Sequence, residues 1–262
     1  MSGNNIHCKN LILGKNVTIE PTAVIRGING KAENIVIGDN VYIGHDVQII
    51  CDNFSIGDYS KVHHHTNIHG YKPCKIGHNA WIGQYSIIDS IGGTTIGNNC
   101  GIGAHSQLWS HIKYGDTLEG CRFLSDSPLK IGNDVWFVGH CIVSPIVAED
   151  KSMALVGSVV TSNMEKNNIY AGSPAKNMTD KIGNQFRKVS VEEKFNKMNE
   201  YLYNFEKEIG TSKHDIVIVK NQGEFVRNKS CFSVSDRTYT KRLTDLEQQF
   251  LFQNYTDIRS FY

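Results

Sequence analysis

Aliphatic residues recur along this chain at steps of six, each followed by glycine: Ile37-Gly38 and Ile43-Gly44, Ile76-Gly77 and Ile82-Gly83, Ile96-Gly97 and Ile102-Gly103, then Ile131-Gly132. The fourth residue after each aliphatic is small or β-branched, as at Val41, Val47, Ala80, Ser86, Cys100, Ser106, Val135 and Cys141. A fixed short period is the signature of a solenoid. Six residues suffice for one short strand and one bend, so three units close a triangular coil. Coils must then stack, because none buries its own face alone. The pattern predicts an aliphatic pointing into a narrow prism and a compact residue at each corner. Glycine removes Cβ where the chain turns or approaches the next coil.

The repeat also marks where the prism is interrupted. A first coil is legible from Leu13 to Val24, with Leu13-Gly14 and Ile19-Glu20 opening hexads and Val17 and Ala23 in the small slots. Gly27 to Glu33 breaks the period and reads as a surface loop. Strict repeats run from Ile37 to Thr66, and a second break at His69 to Lys75 contains Pro73. The third is the longest: after Leu108 the hexads stop, 112–130 shows none, and they restart at Ile131. A long loop whose ends are held by rigid coils is a place where function is often put, and also a place where an insertion is tolerated. From Ala148 to Ala154 glycine is absent and the phase loses a residue, before the phrases Leu155–Thr161 and Tyr170–Lys176 close the repeat region.

Beyond about Gly183 glycines become rare and charges frequent. Ser190 and Glu193 form a capping-box pattern, and Phe195, Met198, Leu202, Phe205 and Ile209 follow at alternating three and four spacing, which predicts an amphipathic helix. Asp215 to Val219 reads as a strand, Asn221 to Gly223 as a turn, and Thr244 with Glu247 opens a second helix through Leu251. The chain thus divides into an all-β-dominated parallel β-helix domain, 1–182, with its long loop at 112–130, and a small α/β appendage, 183–262.

Composition adds exclusions. The chain is 40% hydrophobic and 20% charged, with a formal net charge of +1 over 262 residues, so nothing in its charge calls for nucleic acid or an anionic membrane as partner. Met1 to Asn10 lacks a basic patch followed by an apolar run, and no later stretch is long enough to span a bilayer, so a cytoplasmic protein is expected. Seven cysteines lie without zinc-like spacing. Free thiols are expected, with Cys100 and Cys141 packing as small core residues.

The hexads resemble the hexapeptide-repeat family over about residues 11 to 180. That family forms left-handed parallel β-helices, usually trimeric, an exception to the usual right-handed crossover. Many members transfer acyl groups, while others bind metal or act as scaffolds. Acyl transfer from a thioester to an alcohol or amine needs a base near the acceptor and donors for the developing oxyanion, and histidine is the natural base.

In the sugar, galactoside and antibiotic acetyltransferases of the family, a histidine is followed by a loop and then by a phrase P-[LI]-x-I-G-x-[ND]-V-W. Here Pro128, Leu129, Ile131, Gly132, Asn133, Asp134, Val135 and Trp136 match that phrase. The resemblance therefore implies that His111, in Leu108-Trp109-Ser110-His111, is the general base; a solvent-exposed corner histidine is the alternative. Counting hexads gives a rival: His65, Tyr85, His105 and His140 share one position of the coil and should stack on one edge, about 5 Å apart as in any β ladder. Adjacent His105 and His140 would disfavour double protonation, keeping one neutral as a base, or would simply form a polar ladder.

The phrase Ala171-Gly172-Ser173-Pro174-Ala175-Lys176 resembles the ending of coenzyme A-dependent members. The resemblance implies Gly139, Gly157 and Ser158 as pantetheine contacts, Lys176 as a phosphate contact, and acetyl-CoA as co-substrate, with no metal. It also implies that Trp136 shapes the acceptor pocket. Trp109 beside the proposed base can stack on a sugar face, and location in the loop makes Asp116 and Glu119 candidates for binding acceptor hydroxyls. Separately, His64 and His69 followed by Gly70 are similar to the H-x4-H-G phrase of gamma-class carbonic anhydrases. Their third ligand would fall at Ile28 or Asn29, which leaves that site incomplete. The expectation is an acetyltransferase acting on a hydroxyl or amine of a sugar, a homotrimer with sites between subunits. The alternatives are such a metalloenzyme and a non-catalytic binding or scaffold β-helix.

Overall fold

The structure, a computed structural model, describes residues 5–210, 215–253 and 261. It divides into two compact units, Met1–Phe186 and Arg187–Tyr262. In the first unit the hexads stack as three parallel ladders. One face carries Leu13, Ile37, Ile56, Ile76, Ile96, Ile131 and Ala148 in register. A second carries Ile19, Ile43, Val62, Ile82, Ile102, Phe137, Ala154 and Tyr170. The third carries Ile25, Ile49, Ile68, Ile88, Leu108, Val143 and Val160. Apart from Leu13 at the open end, these residues build one continuous core, against which Ile19 packs partly buried. The bulky Phe137 fits because the residue above it is Ala154.

Coil length varies at only one corner. Ile96 pairs with Ile131 and Leu13 with Ile37, so the extra residues of these coils lie between the third face and the first. The breaks are shorter than the lapse of hexads indicates. Strand Ala32–Ile37 begins inside the expected first loop, because an N-terminal strand, Ile6–Leu13, runs beside it and pairs Cys8 with Ala32. The second break shrinks to Tyr71–Pro73, between strands Asn67–Gly70 and Cys74–Ile76. The lost residue lies upstream of the expected Ala148–Ala154 stretch: Ile131 pairs with Ala148, one residue short of three full hexads, and the short step runs from Val143 to Ala148, whereas Ala148 to Ala154 keeps the full hexad.

The other two corners are tight. At the first-to-second corner a left-handed residue makes the bend in coil after coil: Asn40, Asn79, Asn99 and Asp134 have φ of 57°, 54°, 58° and 59°. Asn and Asp tolerate this region best among residues with a Cβ. Glycine after the aliphatic has the other role, close approach: a Cβ on Gly97 would lie 2.6 Å from the Gly132 carbonyl oxygen of the next coil. Between those two positions, polar side chains tie coil to coil. Asp39 N–H donates to Asp58 Oδ1 (2.8 Å), His78 N–H to Asn98 Oδ1 (2.9 Å), Asn98 N–H to Asn133 Oδ1 (2.8 Å) and Asn133 N–H to Asp150 Oδ1 (2.8 Å).

The last coil ends when Ile169–Gly172 folds back antiparallel on Ala175–Asn177. Beyond it Phe186 N–H donates to Asn167 Oδ1 (2.8 Å), and Asn167 Nδ2 donates to the Phe186 carbonyl (2.9 Å), which holds the exit segment on the β-helix. In the second unit, helix α1 (Val191–Ile209) starts at Ser190 with both capping-box bonds present and buries Met198 and Phe205. Strand Ile216–Val219 pairs parallel with Ser230–Ser233, a strand without a sequence signal, which pairs antiparallel with Thr238–Tyr239. Helix α2 (Asp245–Gln253) follows. No helix among the described residues is long and apolar enough to cross a membrane.

Candidate functional site

The corner that carries every insertion also holds a buried carboxylate. Strand Ile87–Asp89 lies on the third face, one coil above His69, with which Asp89 is in register. The Asp89 side chain is fully buried, and its Oδ2 accepts three bonds: from Ser110 N–H (2.9 Å), Ser110 Oγ (2.5 Å) and His111 Nδ1 (2.9 Å). Its Oδ1 has no hydrogen-bond partner and faces His69 Nε2 at 3.5 Å. Ser110 is fixed in turn, because its Oγ accepts from Gly92 N–H (2.9 Å). Burial in this corner pushes the Cys51 thiol up to about 12 and the Cys74 thiol well above its ordinary value, and the nearby Asp89 adds to both rises.

An ionised carboxylate only accepts, so His111 must carry its proton on Nδ1. Nε2 is then left with its lone pair. The side chain is 22% exposed, open enough to meet a substrate, and the Trp109 ring lies edge-on at 6.1 Å. A histidine with a carboxylate on Nδ1 is the arrangement that fixes an imidazole's tautomer and stabilises an imidazolium where one forms. Asp89 carries no motif. The signal available in sequence was a carboxylate directly after the core Ile88, and only folding shows that position 89 meets position 111.

The 112–130 segment starts one residue after His111 and is a hairpin arm rather than a featureless loop: Ile112–Lys113 pairs antiparallel with Leu124–Ser125. Its tip exposes Tyr114 and Leu118 almost completely, at 102% and 93%. Asp116 Oδ1 accepts from Leu118 N–H (2.8 Å), a local turn, and Glu119 is exposed beside it. Trp136 is on the second face, 44% exposed, with its ring spread over Gly101, where a Cβ would sit 2.9 Å from the Trp136 Cδ1.

His105 and His140 are elsewhere, at the second-to-third corner, at the opposite end of the third face from His111. There His65, Tyr85, His105 and His140 stack with centroid separations of 4.8, 5.1 and 4.8 Å and interplanar angles of 17°, 8° and 9°. All four have left-handed backbone, φ between 50° and 59°. Gly139 and Gly157 lie at the same corner, linked by Gly157 N–H to the Gly139 carbonyl (3.0 Å). Ser158 is buried; its hydroxyl donates to the Leu155 carbonyl (2.6 Å) and its carbonyl accepts from Ile142 N–H (2.9 Å). Lys176 is exposed on the terminal hairpin, paired with Ala171.

The histidine run 63–65 and 69 is dispersed by the coil. His63 packs on Trp81 at 4.1 Å, with its pKa lowered by burial and by Lys61 and His64. His64 meets His65 edge-on at 5.4 Å, while His69 sits at the other end of the face beside Asp89. Among the described residues, no three His, Cys, Asp or Glu side chains converge as a metal site.

No family model matches the chain. Among solved structures, the polySia-specific acetyltransferase NeuO superposes with a TM-score of 0.52 at 17% identity, covering 76% of this chain and 98% of NeuO. UDP-N-acetylglucosamine acyltransferase from Campylobacter jejuni superposes with a TM-score of 0.42 at 16% identity, covering 98% of this chain and 97% of the other. A hexapeptide-repeat acetyltransferase from Vibrio cholerae O1 biovar eltor, complexed with acetyl-coenzyme A, gives 0.38 at 16% identity, over 54% of this chain and 68% of the other. At these identities likeness speaks for fold. The six-residue period, the three stacked ladders and the likeness to NeuO make this chain a parallel β-helix of the hexapeptide-repeat fold.

Proposed function

We propose that this chain is an acyltransferase that moves an acetyl group from acetyl-coenzyme A to a hydroxyl or amine of a sugar, with His111 as general base. The observation that carries the reading is the buried Asp89 carboxylate on His111 Nδ1, which leaves Nε2 free at the root of the hairpin arm. Nε2 takes the acceptor proton as the acceptor oxygen or nitrogen attacks the acyl carbonyl, and Asp89 stabilises the imidazolium so formed. The same imidazolium returns the proton to the departing sulfur, so the base is regenerated. The donor supplies an activated thioester carbonyl and a good leaving group. Cys51 and Cys100 are buried thiols pushed up to about 12 and burial pushes the Cys74 thiol well above its ordinary value, so none of these three is set up as a nucleophile, which favours direct transfer.

Trp109 and Trp136 offer flat apolar surface for a sugar, and Asp116 and Glu119 offer acceptors for its hydroxyls. Gly157, exposed and with open space where a Cβ would stand, bares the backbone beside the buried Gly139 and offers room in which a pantetheine can lie, with Lys176 as the cation for phosphates. Within one chain the His111 corner and this glycine corner lie at opposite ends of the third face. A complete site therefore needs the corner of a neighbouring copy, which supports a homotrimer with sites between subunits. NeuO, whose name records an acetyltransferase specific for polySia, makes an anionic glycan a sensible first acceptor to try.

The test is isothermal titration with coenzyme A and acetyl-coenzyme A, followed by thiol-release assays over amino sugars, nucleotide sugars and sialic acid oligomers. The expected result is saturable binding near one site per chain, and a His111→Ala variant that binds the donor but transfers at least about 100-fold more slowly. Absence of donor binding, or full turnover in His111→Ala, would overturn the reading.

A further inference from the structure

The second unit takes no part in the acyl-transfer reading, yet it carries an open cavity of about 440 Å³, within the roughly 300–1,000 Å³ of small-molecule sites. The segment 225–229, which leads into strand Ser230–Ser233, lines it together with Thr240 and Arg242, which follow the antiparallel partner strand Thr238–Tyr239. Hydrogen bonds fasten these two stretches to each other. Cys231 N–H donates to Thr240 Oγ1 (3.1 Å), and Thr240 Oγ1 donates to the Lys229 carbonyl (3.2 Å). Asn228 has a left-handed backbone, φ 61°, and its carbonyl accepts from Arg242 Nη1 (2.6 Å). The Arg242 guanidinium is therefore held at the turn that carries Arg227 and Lys229.

The charge around this cavity is unbalanced. Residues 226–242 carry Arg227, Lys229, Arg237, Lys241 and Arg242 against a single carboxylate, Asp236, whereas the rest of the chain is acidic on balance. Asp236 is already engaged, its Oδ2 accepting from Ser233 Oγ (2.8 Å) and Gln222 N–H (2.7 Å). Asp215 reaches in from outside the segment and meets Lys229 Nζ at 3.2 Å. Arg227 and Arg242 have no carboxylate partner among the described residues. Like charges gathered in one place repel until an anion joins them. A guanidinium offers its N–H groups as a planar fork that matches a carboxylate.

We propose that this cavity binds an acidic oligosaccharide, a sugar carboxylate on the Arg227 and Arg242 guanidinium groups and the C–H face of the ring on Phe225 and Val226. The negative charge of the ligand follows from the cavity alone; that the ligand is a sugar chain rests on the acyltransferase reading. Nucleic acid suits the cavity less well. It is bound along an extended basic groove with exposed rings for its bases, whereas this lining offers the half-buried Phe225. A site of this kind retains a polymeric acceptor and leaves a free sugar unaffected.

Titrations of sialic acid oligomers, galacturonic acid oligomers, neutral maltose oligomers and single-stranded DNA compare the full chain with Arg227→Gln and Arg242→Gln, with circular dichroism confirming the fold. Arg227 makes no hydrogen bond or ion pair among the described residues, so Arg227→Gln removes a charge without breaking a contact of that kind. The expected result is saturable binding of at least one acidic oligomer, weakened about tenfold by each substitution, and no binding of the neutral one. In transfer assays both variants should raise KM for that oligomer and change turnover of a free amino sugar by less than about twofold. Should Arg242→Gln fail to fold, Arg227→Gln carries the comparison alone. Unchanged affinity in Arg227→Gln, or DNA held more tightly than either acidic oligomer, would overturn the proposal. No oligomer binding by the unmodified protein, with transfer to a free amino sugar intact, would overturn this site and leave the acyltransferase reading standing. Oligomer binding that weakens in the variants, in a protein that binds no coenzyme A, would overturn that reading and keep the site.

Discussion

A carboxylate that accepts three bonds on one oxygen and faces an imidazole with the other is expensive to bury and specific in what it holds. Asp89 fixes the His111 tautomer through Nδ1, so Asp89→Asn should present an amide that can donate to Nδ1 and favour the wrong tautomer. The expected result is a fall in kcat of about 100- to 10,000-fold with little change in KM for the donor, read from steady-state kinetics. At the same scale, cysteine reactivity follows burial. The Cys100 thiol, raised to about 12 by burial, and Cys51 and Cys74 remain protonated at pH 8, whereas Cys121 in the hairpin arm is partly exposed. Alkylation of the native protein at pH 8, mapped by mass spectrometry, should label Cys121 first. Rapid labelling of Cys100 in the folded protein would contradict the packing described.

Among the elements, helix α1 is the one whose start the sequence specifies most sharply. Ser190 Oγ accepts from Glu193 N–H (3.1 Å) and the Glu193 carboxylate accepts from Ser190 N–H (2.8 Å). These bonds, the Ser190 backbone bond first and the Arg187 side chain next, hold the Glu193 carboxyl below its ordinary value. A depressed folded value means that the cap contributes fully above the unfolded carboxylate range near pH 4.5 and loses that contribution as pH falls through the folded value. Protection factors of the first-turn amides, taken against the intrinsic exchange rate at each pH, should therefore fall on acidification below about pH 4.5, and at neutral pH Ser190→Ala should speed exchange there by about fivefold, the equivalent of a lost cap. Equal protection in the variant would show that tertiary packing alone fixes the helix start. The partner strand Ser230–Ser233 lacked such a signal: its residues SCFS are all buried, so no polar alternation betrays the strand.

Across the whole β-helix unit, stability is a stack of nearest-neighbour interfaces, and substitutions should be judged by what lies in the next coil. Ile82→Ala removes a fully buried rung between Val62 and Ile102 and should cost about 2–5 kcal/mol, seen as a lower denaturation midpoint. The hairpin arm should behave oppositely. Lys113 and Leu124 are paired, and Ile96 and Ile131 stack directly with the arm outside the prism. Replacing 114–123 by a two-residue Asn-Gly turn should leave the midpoint nearly unchanged, because the ends already meet and the loop adds little closure cost. Acceptor turnover should fall in the same variant. A collapsed midpoint there would mean that the arm supports the coils.

The hexad period determined the prism, its three faces and the stacking of His65, Tyr85, His105 and His140, because a constant step in sequence becomes a constant step in space when coils stack. The lapses of the period located the long arm for the same reason, while the shortened step, expected at Ala148–Ala154, proved to lie just before it. Tertiary structure alone decided the rest. That every insertion leaves one corner, that Ile6–Leu13 closes the first coil, and that Asp89 meets His111 all depend on register between coils of unequal length. Local sequence does not encode that register. The left-handed bend at Asn40, Asn79 and Asn99 emerged only from the structure, while the glycines before them, expected either to turn the chain or to admit the next coil, proved to serve close coil approach. A repeat thus announces the scaffold, whereas a site assembled from positions 69, 89 and 111 exists only once the coils have stacked.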